Sequence, residues 1–482
     1  MNKKTTAMLM AVSMLVGAGG TYAGMQMADR NEDNTPLIQP MQTTKETTKS
    51  EEEELKKVEQ AYELIKSRYV QKVNDEKLIE GAIQGMISTL NDPYSVYMDE
   101  ETAHQFNESL NSSFEGIGAE VSMVDGKVTI VAPFKNSPAE KAGLKPNDQI
   151  VKVNGQSLEG LDLYEAVLKI RGKKGTTVQL DILRPGVKDV IKVKVVRDEI
   201  PIETVYDSVK TYNGKKVGYL EITSFSENTA QDFKKKLTKL EDDKINGLVI
   251  DVRGNPGGYL QSVEEILKQF IPKSKPYVQI EERNGHKQQF YSDLAAKKPY
   301  PIVVLIDKGS ASASEILAGA MKEAGGYKLV GETSFGKGTV QQAIPMGDGS
   351  NIKLTLYKWL TPEGHWIHKK GIKPDVAVKQ PEYFHATPIH INKPLVYDMN
   401  NEQIKSAQQM LKGLGFDPGR EDGYFSKETT AAVKAFQKAN KLPVTGKIDK
   451  QTAAVLETKV LEAVRNDNND EQLKAAMKVL FQ

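Results

Sequence analysis

The amino-acid sequence predicts a multidomain chain of mixed α/β and α+β class, with an α/β core, a β-rich domain before it and small helical domains on either side. Three observations predict this class. The chain has 482 residues, more than one ordinary domain contains. Short β-rich runs separated by turns fill residues 114–198, whereas strands and helices alternate from 218 to 378. Helical periodicity with glycine turns begins near residue 402.

The composition excludes several classes of function. Hydrophobic residues make up 39% of the chain and charged residues 27%, so most of it can fold as soluble globular protein. The formal net charge of +1 gives no general attraction to nucleic acid, which is not an expected partner. The lack of cysteine excludes disulfides, thiolate catalysis and cysteine-based zinc sites. The six histidines form no HExxH pattern, and the sequence predicts neither a metal nor another cofactor.

Residues 1–29 have the pattern of a targeting segment. Two lysines precede 24 uncharged residues, Thr5–Ala28, after which charged residues return. Positive charge followed by an apolar run directs export, and about 20 apolar residues span a bilayer. Small residues around Ala23 also fit a cleavage site. A retained membrane anchor and a cleaved signal peptide are therefore both open.

Residues 30–50 are polar and predict a disordered tether, and residues 51–108 predict a helical domain. In the helical domain, apolar residues recur at spacings of three and four: Leu55, Val58, Ala61, Tyr62 and Ile65. A second helical run ends at Asp92-Pro93. Such a domain acts either as plain scaffold or as a dimerising surface, and a homodimer is among the predicted partners.

Residues 112–198 contain the runs FEGIGAEV and SPAEKAGLKPNDQIVKVNG. Through the spacing of its Ser-Pro-Ala, Gly-Leu and Asn-Gly motifs, this segment resembles a PDZ domain. The resemblance implies capture of an extended peptide whose terminal carboxylate is held by backbone N–H groups. The loop Gly116-Ile117-Gly118 is the candidate carboxylate site, because glycine lets the backbone approach an anion closely. Arg171 is either a solvated charge or a contact to the bound tail.

Residues 199–385 are predicted to form the α/β core. The runs Leu248–Val252 and Ile302–Ile306 are short and nearly all apolar, which is typical of buried central strands. The second run is followed by KGSASASEILAGAMKEAG, a turn of small residues that leads into a helix. Backbone N–H groups at a helix amino terminus favour negative charge, which suits an oxyanion. The three serines of this turn, at 310, 312 and 314, fit a simple helix cap as well.

A nucleophilic serine needs a base, and no histidine lies in this segment. Lys337, in GETSFGKGTVQQ, is the candidate because its immediate neighbours are uncharged. A lysine titrates at about 10.4 and acts as a base at neutral pH only when burial lowers its pKa. Gln341 lies four residues further on, where an amide would orient the amine whether the stretch is helix or turn. Taken alone, Lys337 is more typical of an exposed loop lysine.

Residues 398–460 predict three short helices separated by glycine turns. The runs QIKSAQQMLKGLGF and DGYFSKETTAAVKAFQKANKL resemble a small peptidoglycan-binding domain, through Gln408-x-x-Leu411 and Asp422-Gly423-x-Phe425. The resemblance implies peptidoglycan as a partner, and a generic helical bundle is the alternative. A further helix is predicted over residues 461–482.

Several motifs taken together identify a family. The serine and lysine runs are accompanied, in order along the chain, by DPYSVYM at 92–98, LVIDVRGNPGGYL at 248–260 and LTPEGHWIHKKGIKPD at 360–375. With the PDZ-like segment, they make most of residues 55–380 similar to the carboxy-terminal processing (tail-specific) serine peptidases.

This resemblance selects the site residues that spacing leaves open. It implies Ser312 as the nucleophile, Lys337 as the general base and Gln341 as the supporting amide. One oxyanion donor is then expected at the N–H of Ala313, and a second in the Gly257-Gly258 turn, because adjacent glycines let backbone N–H groups approach a substrate.

The predicted function is that of a serine endopeptidase with a Ser–Lys dyad, which recognises carboxyl-terminal tails through its PDZ domain. Its expected substrates are extracytoplasmic proteins with exposed tails, cleaved in processing, regulatory proteolysis or quality control. The expected location is the cytoplasmic membrane, if residues 1–29 are retained, or the cell-wall space. The alternatives are a non-catalytic PDZ and cell-wall-binding scaffold, and a murein-cleaving enzyme.

Overall fold

A computed structural model describes residues 49–482 apart from 125, 135, 186 and 188. The predicted targeting segment, 1–29, and nearly all of the predicted tether, 30–50, lie outside these residues. Within the described part of the chain, no helix is both long enough and apolar enough to cross a bilayer.

The amino-terminal elements are a helical hairpin and then a strand and a helix that pack on the core. In chain order they are α1 Lys49–Arg68, α2 Asp75–Ser88, β1 Val96–Met98 and α3 Glu100–Leu110. No side chain of α2 is buried, whereas α3 buries Ala103, Phe106 and Leu110 against Met98. The predicted helical domain therefore has an exposed hairpin and a second part that belongs to the core.

The β-rich unit is a six-stranded sheet with two short helices. Its elements are β2 Ser113–Gly116, β3 Ala119–Val124, β4 Lys127–Pro133, α4 Pro138–Lys141, β5 Gln149–Val153, β6 Gln156–Ser157, α5 Leu163–Ile170, β7 Thr177–Leu183, β8 Ile191–Val196 and β9 Asp198–Pro201. The strand order is β3-β4-β5-β7-β8, with β6 beside β5. Because β2 pairs with β9, the chain enters and leaves this unit at one place.

The core contains two sheets. Its elements are β10 Val205–Tyr212, β11 Lys215–Ile222, α6 Thr229–Asp242, β12 Gly247–Asp251, α7 Leu260–Leu267, β13 Val278–Glu281, β14 Lys287–Phe290, β15 Ile302–Ile306, α8 Ala313–Glu323, β16 Lys328–Gly331, β17 Thr339–Pro345, β18 Asn351–Leu360 and β19 Val376–Ala377. The larger sheet has the order β10-β11-β12-β15-β16-β19 and is parallel except for β10. The smaller sheet has the order β1-β18-β13-β14, with β17 also on β18.

The two buried strands predicted from sequence are at the centre of the larger sheet. Every residue of β12 and β15 is buried, because helices cover both faces of this sheet. The carboxyl ends of these parallel strands lie at one edge, which is where ligands bind in open α/β sheets.

The last elements are α9 Glu402–Gly413, α10 Lys427–Ala439, α11 Lys450–Val464 and α12 Glu471–Leu480. Helices α9 to α11 share a hydrophobic core of their own. The predicted boundary at residue 460 falls inside α11. Helix α12 packs on the larger sheet instead, where its apolar side chains cover the face opposite α6, α7 and α8.

Candidate active site

The candidate nucleophile lies in the tight turn between β15 and α8. Ser312 is the N-cap residue of α8 and has φ 54° and ψ −114°. Such a positive φ is unusual for a residue with a side chain, and strain of this kind clusters at functional sites. The side chain is buried, with 5% exposure. The turn thus holds one serine in an enforced conformation at a helix amino terminus.

The other two serines of this turn have structural roles. The hydroxyl of Ser310 donates to the carbonyl of Val252 at 2.7 Å. The hydroxyl of Ser314 donates to the carbonyl of Asn255 at 2.9 Å. Both bonds fasten the turn to the loop after β12, and Ser312 makes neither of them. This difference distinguishes Ser312 from its neighbours, which spacing alone could not do.

Asn255 organises the glycine loop after β12. Its side chain is fully buried and donates to the carbonyl of Ile222 at 2.8 Å. Its side-chain oxygen accepts from the N–H of Gly257 at 2.8 Å, and its carbonyl accepts from the N–H of Ala311 at 3.0 Å. The loop and the serine turn are therefore one hydrogen-bonded unit.

Gly257 lies directly against the turn that contains Ser312. It has φ 110°, and a Cβ placed there would lie 2.9 Å from Cβ of Ser312 and 3.1 Å from N of Ala313. Only glycine leaves open the space in front of these atoms. Sequence analysis treated Gly257 as a possible oxyanion donor, but its N–H is already bonded to Asn255.

Gly258 has the freer N–H group. Phe225 pairs with this residue in a parallel bridge, donating to the carbonyl of Gly257 and accepting from the N–H of Tyr259. That pattern leaves the N–H of Gly258 without an acceptor among the described residues. Ala313 is the first residue of α8, where a backbone N–H has no partner within the helix.

Lys337 is buried, with only 4% exposure, although it lies in a loop. Its ammonium nitrogen lies 5.1 Å from the centre of the Tyr94 ring. The pKa of Lys337 is lowered to about 7, mainly by burial and also by the positive charge of Lys353, while the carboxylates of Glu315 and Asp92 oppose the change. This amine can therefore be neutral near physiological pH, as a general base requires.

Glu315 joins the serine turn to the lysine loop. One carboxylate oxygen accepts from the N–H of Ser312 at 3.0 Å and from the N–H of Lys337 at 2.7 Å. The other oxygen accepts from the hydroxyl of Ser334 at 2.6 Å and from the N–H of Gly336 at 2.7 Å. The two candidate residues are thus linked through their backbones. Direct contact between hydroxyl and amine stays a prediction.

Sequence analysis missed the role of Glu315. The available signal was an acidic residue three positions after a serine N-cap, which is the pattern of a capping box. Nothing in that pattern indicates that the same carboxylate also binds a loop 22 residues further on. Burial raises the pKa of Glu315, and the hydrogen bonds that it accepts oppose the rise.

Gln341 lies in neither a helix nor a turn but in strand β17, beside an irregularity in its pairing with β18. Its amide nitrogen donates to the hydroxyls of Thr339 and Thr355, each at 2.9 Å. Its amide oxygen is buried and has no hydrogen-bond partner within the described part of the chain. An oxygen in that state can accept from an amine that moves toward it.

The segment before β1 also contributes to the site, which sequence analysis did not assign. Asp92 accepts from the hydroxyl of Ser95 at 2.6 Å and from the N–H of Tyr94 at 3.1 Å. Ser95 in turn accepts from the N–H of Thr355 in β18. These bonds hold the Tyr94 ring over Lys337. The DPYSVYM motif marked the segment without indicating its function.

The predicted peptide-binding residues lie together at the edge of the β-rich unit. A Cβ on Gly116 would lie 3.7 Å from the side chain of Arg171. The carbonyls of Ile117 and Gly118 accept from backbone N–H groups of the same unit. Arg171 stacks on the Phe114 ring at 4.9 Å and pairs with Glu108 of α3 at 2.9 Å. The arginine thus links the β-rich unit to α3.

One cluster of metal-ligating groups occurs among the described residues, formed by Glu323, Glu363 and His365. His365 and Glu363 are exposed, and His365 pairs with Glu323 at 3.0 Å. Within the described part of the chain, His365 is hydrogen-bonded to Glu323, and His368 stacks on Trp366.

Comparisons with known proteins agree with this architecture. The model of Peptidase family S41 matches residues 216–378, and a PDZ domain model matches residues 116–195. A putative peptidoglycan binding domain model matches residues 400–456. The model of the N-terminal domain of the activating protease CtpB matches residues 14–102. The fold therefore defines a serine peptidase of family S41 that carries a PDZ domain.

Similar proteins narrow the class further. The chain is 60% identical over 481 residues to the carboxy-terminal processing protease CtpB of Bacillus subtilis, covering 100% of both chains. It is 45% identical to CtpA of the same organism, covering 88% of this chain and 90% of that one. The chain belongs to the carboxy-terminal processing proteases of family S41. The predicted family, fold class and enzyme class are thereby confirmed.

Among solved structures, the photosystem II D1 C-terminal processing protease is 26% identical. The match has a TM-score of 0.41 and covers 67% of this chain and 92% of that chain.

Proposed function

We propose that this peptidase uses Ser312 as nucleophile and Lys337 as general base to cleave extracytoplasmic proteins whose carboxyl-terminal tails bind the PDZ domain. The observation that carries the proposal is the burial of the Lys337 amine, whose pKa falls to about 7, on a loop that Glu315 ties to the Ser312 turn. An exposed lysine would be charged at neutral pH and could accept no proton.

The chemistry is acyl transfer in two steps. Neutral Lys337 takes the proton of the Ser312 hydroxyl as its oxygen attacks the scissile carbonyl carbon. The resulting ammonium gives that proton to the leaving amine as the C–N bond breaks, which leaves an acyl-enzyme. Water then attacks the ester carbonyl carbon while Lys337 takes a proton from the water. The C–O bond to Ser312 breaks, Lys337 gives that proton to the Ser312 oxygen, and the new carboxyl terminus leaves. Gln341 accepts from the amine and orients it.

The oxyanion of each tetrahedral intermediate is stabilised by the N–H groups of Ala313 and Gly258. Ala313 follows the nucleophile at a helix amino terminus, where the helix dipole favours negative charge. Gly258 is favoured over Gly257 because the N–H of Gly257 is bonded to Asn255. Removing one such donor costs about 10²–10³ in kcat in comparable sites.

The PDZ domain is proposed to hold the substrate tail and to control activity. The Gly116-Ile117-Gly118 loop would receive the terminal carboxylate, and Arg171 lies beside it. The Arg171–Glu108 ion pair connects this loop to α3, whose other side packs near Tyr259 of the glycine loop. A bound tail that draws Arg171 away from Glu108 would therefore shift α3, and through its contact with Tyr259 it would shift the glycine loop that carries an oxyanion donor.

The remaining parts suggest where the enzyme works. The 398–460 unit resembles a peptidoglycan-binding domain and would hold the enzyme at the cell wall. Residues 1–29 would direct export and, if retained, anchor the chain to the cytoplasmic membrane. The exposed apolar side chains of α1 and α2, including Leu55 and Met86, suit a homodimer contact. Binding to isolated cell walls, fractionation and sedimentation test these points separately.

The deciding experiment is digestion of an unstructured test protein with an apolar carboxyl tail, with products identified by mass spectrometry. Ser312→Ala and Lys337→Ala should give no products, whereas Lys308→Ala, an exposed lysine four residues before the nucleophile, should cleave normally. Turnover by Ser312→Ala would refute the proposal. Absence of turnover by the unmodified enzyme under all conditions, with tail and wall binding intact, would favour the scaffold alternative.

A further inference from the structure

A second lysine is buried close to the candidate base. Lys353 lies in β18, and only 3% of it is exposed. Its ammonium nitrogen lies 4.9 Å from the centre of the Phe106 ring of α3. Burial of a charged amine is costly, so such a residue is rarely kept without a compensating role. The acyl-transfer steps described above do not use this group.

The strand register places Lys353 in the wall of the site. It pairs with Ala343 of β17 on one side and with Val96 of β1 on the other. Thr355, two residues along β18, is on the same face because side chains alternate along a strand. Thr355 pairs with Gln341 and accepts from its amide. Lys353 is therefore two register positions along the β17–β18 ladder from Gln341, the amide proposed to orient the base.

The charges around the two amines come from several elements. Asp92, before β1, acts on both Lys337 and Lys353. Glu315 of α8 acts on Lys337, and the Tyr94 ring lies over it. His368 interacts with Asp92. The site thus contains two buried amines and two carboxylates. The charge of Lys353 lowers the pKa of Lys337, and the charges of Glu315 and Asp92 raise it.

We propose that Lys353 is a positioning residue for the reaction, whose buried ammonium group holds the Lys337 amine in its neutral, proton-accepting form. The inference rests on the proposed Ser312–Lys337 mechanism and adds a specific electrostatic partner to it. Like charges in a shared low-dielectric site disfavour double ionisation, so the charge on one amine makes the other easier to deprotonate.

The direction of each effect follows from the causes of the two shifts. Burial, with the charge of Lys353 as the second cause, lowers the pKa of Lys337 to about 7, and burial lowers the pKa of Lys353 itself to about 8. Near pH 7, Lys353 is therefore mostly charged while Lys337 is partly neutral. Removing the charge at 353 raises the pKa of Lys337 and moves the rising limb of activity to higher pH.

The test is the pH profile of kcat/KM for Lys353→Met, an uncharged residue of similar length. We expect the rising limb to move up by about one pH unit, with a loss of about fivefold near pH 7 that disappears at high pH. Lys353→Arg, which keeps the charge, should have a limb close to that of the unmodified enzyme. Lys358→Met is the matched control, because Lys358 lies in the same strand but is half-exposed and paired with Glu281.

Circular dichroism and thermal unfolding check that Lys353→Met folds, and Lys353→Gln replaces it if it does not. An unmoved limb in the folded variant, whatever its rate, would overturn the inference. A limb moved equally by Lys358→Met would also overturn it, because the effect would then be a general one of surface charge. Lys337→Ala distinguishes failure of the proposed dyad from failure of the proposed role of Lys353. Turnover by Lys337→Ala would refute the dyad. If Lys337→Ala is inactive and the rising limb of Lys353→Met is unmoved, only the role of Lys353 is refuted.

Discussion

Replacing Glu315 by glutamine should disconnect the two halves of the active site. The carboxylate accepts four hydrogen bonds, two at each oxygen: from Ser312 and Lys337, and from Ser334 and Gly336. An amide has one oxygen and one NH2 group. If the NH2 group faces the N–H groups of Ser312 and Lys337, both bonds are lost and replaced by repulsion. If it faces Ser334 and Gly336, the serine hydroxyl can turn and accept from it, and only the bond from the N–H of Gly336 is lost and replaced by repulsion.

The magnitude follows from the number of bonds lost. A hydrogen bond to a charged group contributes about 1.5–3 kcal/mol, so the loss of at least one such bond in Glu315→Gln should lower the free energy of unfolding by roughly 2 kcal/mol or more. The neutral amide also lacks the desolvation cost that raises the pKa of the buried carboxyl, which offsets part of this loss. The displaced turn and loop should reduce kcat by about 100-fold, as an error of about 1 Å in catalytic geometry does.

Thermal and denaturant unfolding measure the first effect, and steady-state cleavage of a tail-bearing test protein measures the second. Ser334→Ala is the matched control, because it removes one donor from the same carboxylate without introducing repulsion. Its cost should be about 1.5–3 kcal/mol for the bond to the carboxylate, with a further loss because the N–H of Ile372 donates to the same hydroxyl. Since Glu315 raises the pKa of Lys337, the residual activity of Glu315→Gln should also rise at lower pH than normal. Unchanged unfolding and unchanged kcat in Glu315→Gln would refute this reasoning.

Three further predictions concern separate parts of the site. Gly257→Ala should abolish turnover while keeping tail binding, because its methyl group would lie 2.9 Å from Cβ of Ser312; kinetics and peptide binding measured together check this, and normal kcat would contradict it. Lys337→Met should stabilise the fold by a few kcal/mol at pH 6 and hardly at all near pH 10.5, because a lysine whose folded pKa is about 7 costs stability that is recovered as pH rises through the window between 7 and 10.5. Equal stabilisation at both pH values, measured by urea unfolding, would show that folding does not lower the pKa of the Lys337 amine. Glu108→Gln should weaken the link to Arg171 and raise basal cleavage of tail-less peptides, and an unchanged ratio of tail-bearing to tail-less cleavage would exclude that link as a control element.

Sequence reasoning succeeded where a local pattern determines the structure. The apolar runs Leu248–Val252 and Ile302–Ile306 indicated central strands because only strands covered on both faces are so uniformly apolar. The small-residue turn before α8 indicated a helix amino terminus for a similarly local reason. Lys337 was chosen for its uncharged neighbours, and its side chain is indeed buried.

Sequence reasoning failed where contacts join distant segments. The link between Glu315 and Lys337 spans 22 residues, and Tyr94 contacts Lys337 from 243 positions earlier in the chain. Gln341 was considered only in a helix or a turn, yet its pairing with β18 places it in a strand. Tertiary pairing of this kind overrides local preference. The role of α12 was likewise hidden, because its periodicity identifies an apolar face but not the surface that the face covers.

The packing of α12 on the larger sheet affects how the chain folds during synthesis. Helix α12 buries Leu473, Ala476, Met477 and Leu480 against Val249 and Leu305 of the two central strands. Its N-cap residue, Asp470, binds Arg253 at 2.8 Å, four residues before Gly257. During synthesis, the catalytic sheet therefore has one bare apolar face until residue 480 has been translated and folded back. A chain interrupted after the wall-binding-like helices would carry every candidate catalytic side chain and still lack a finished sheet, so incomplete chains would be aggregation-prone rather than active as peptidases.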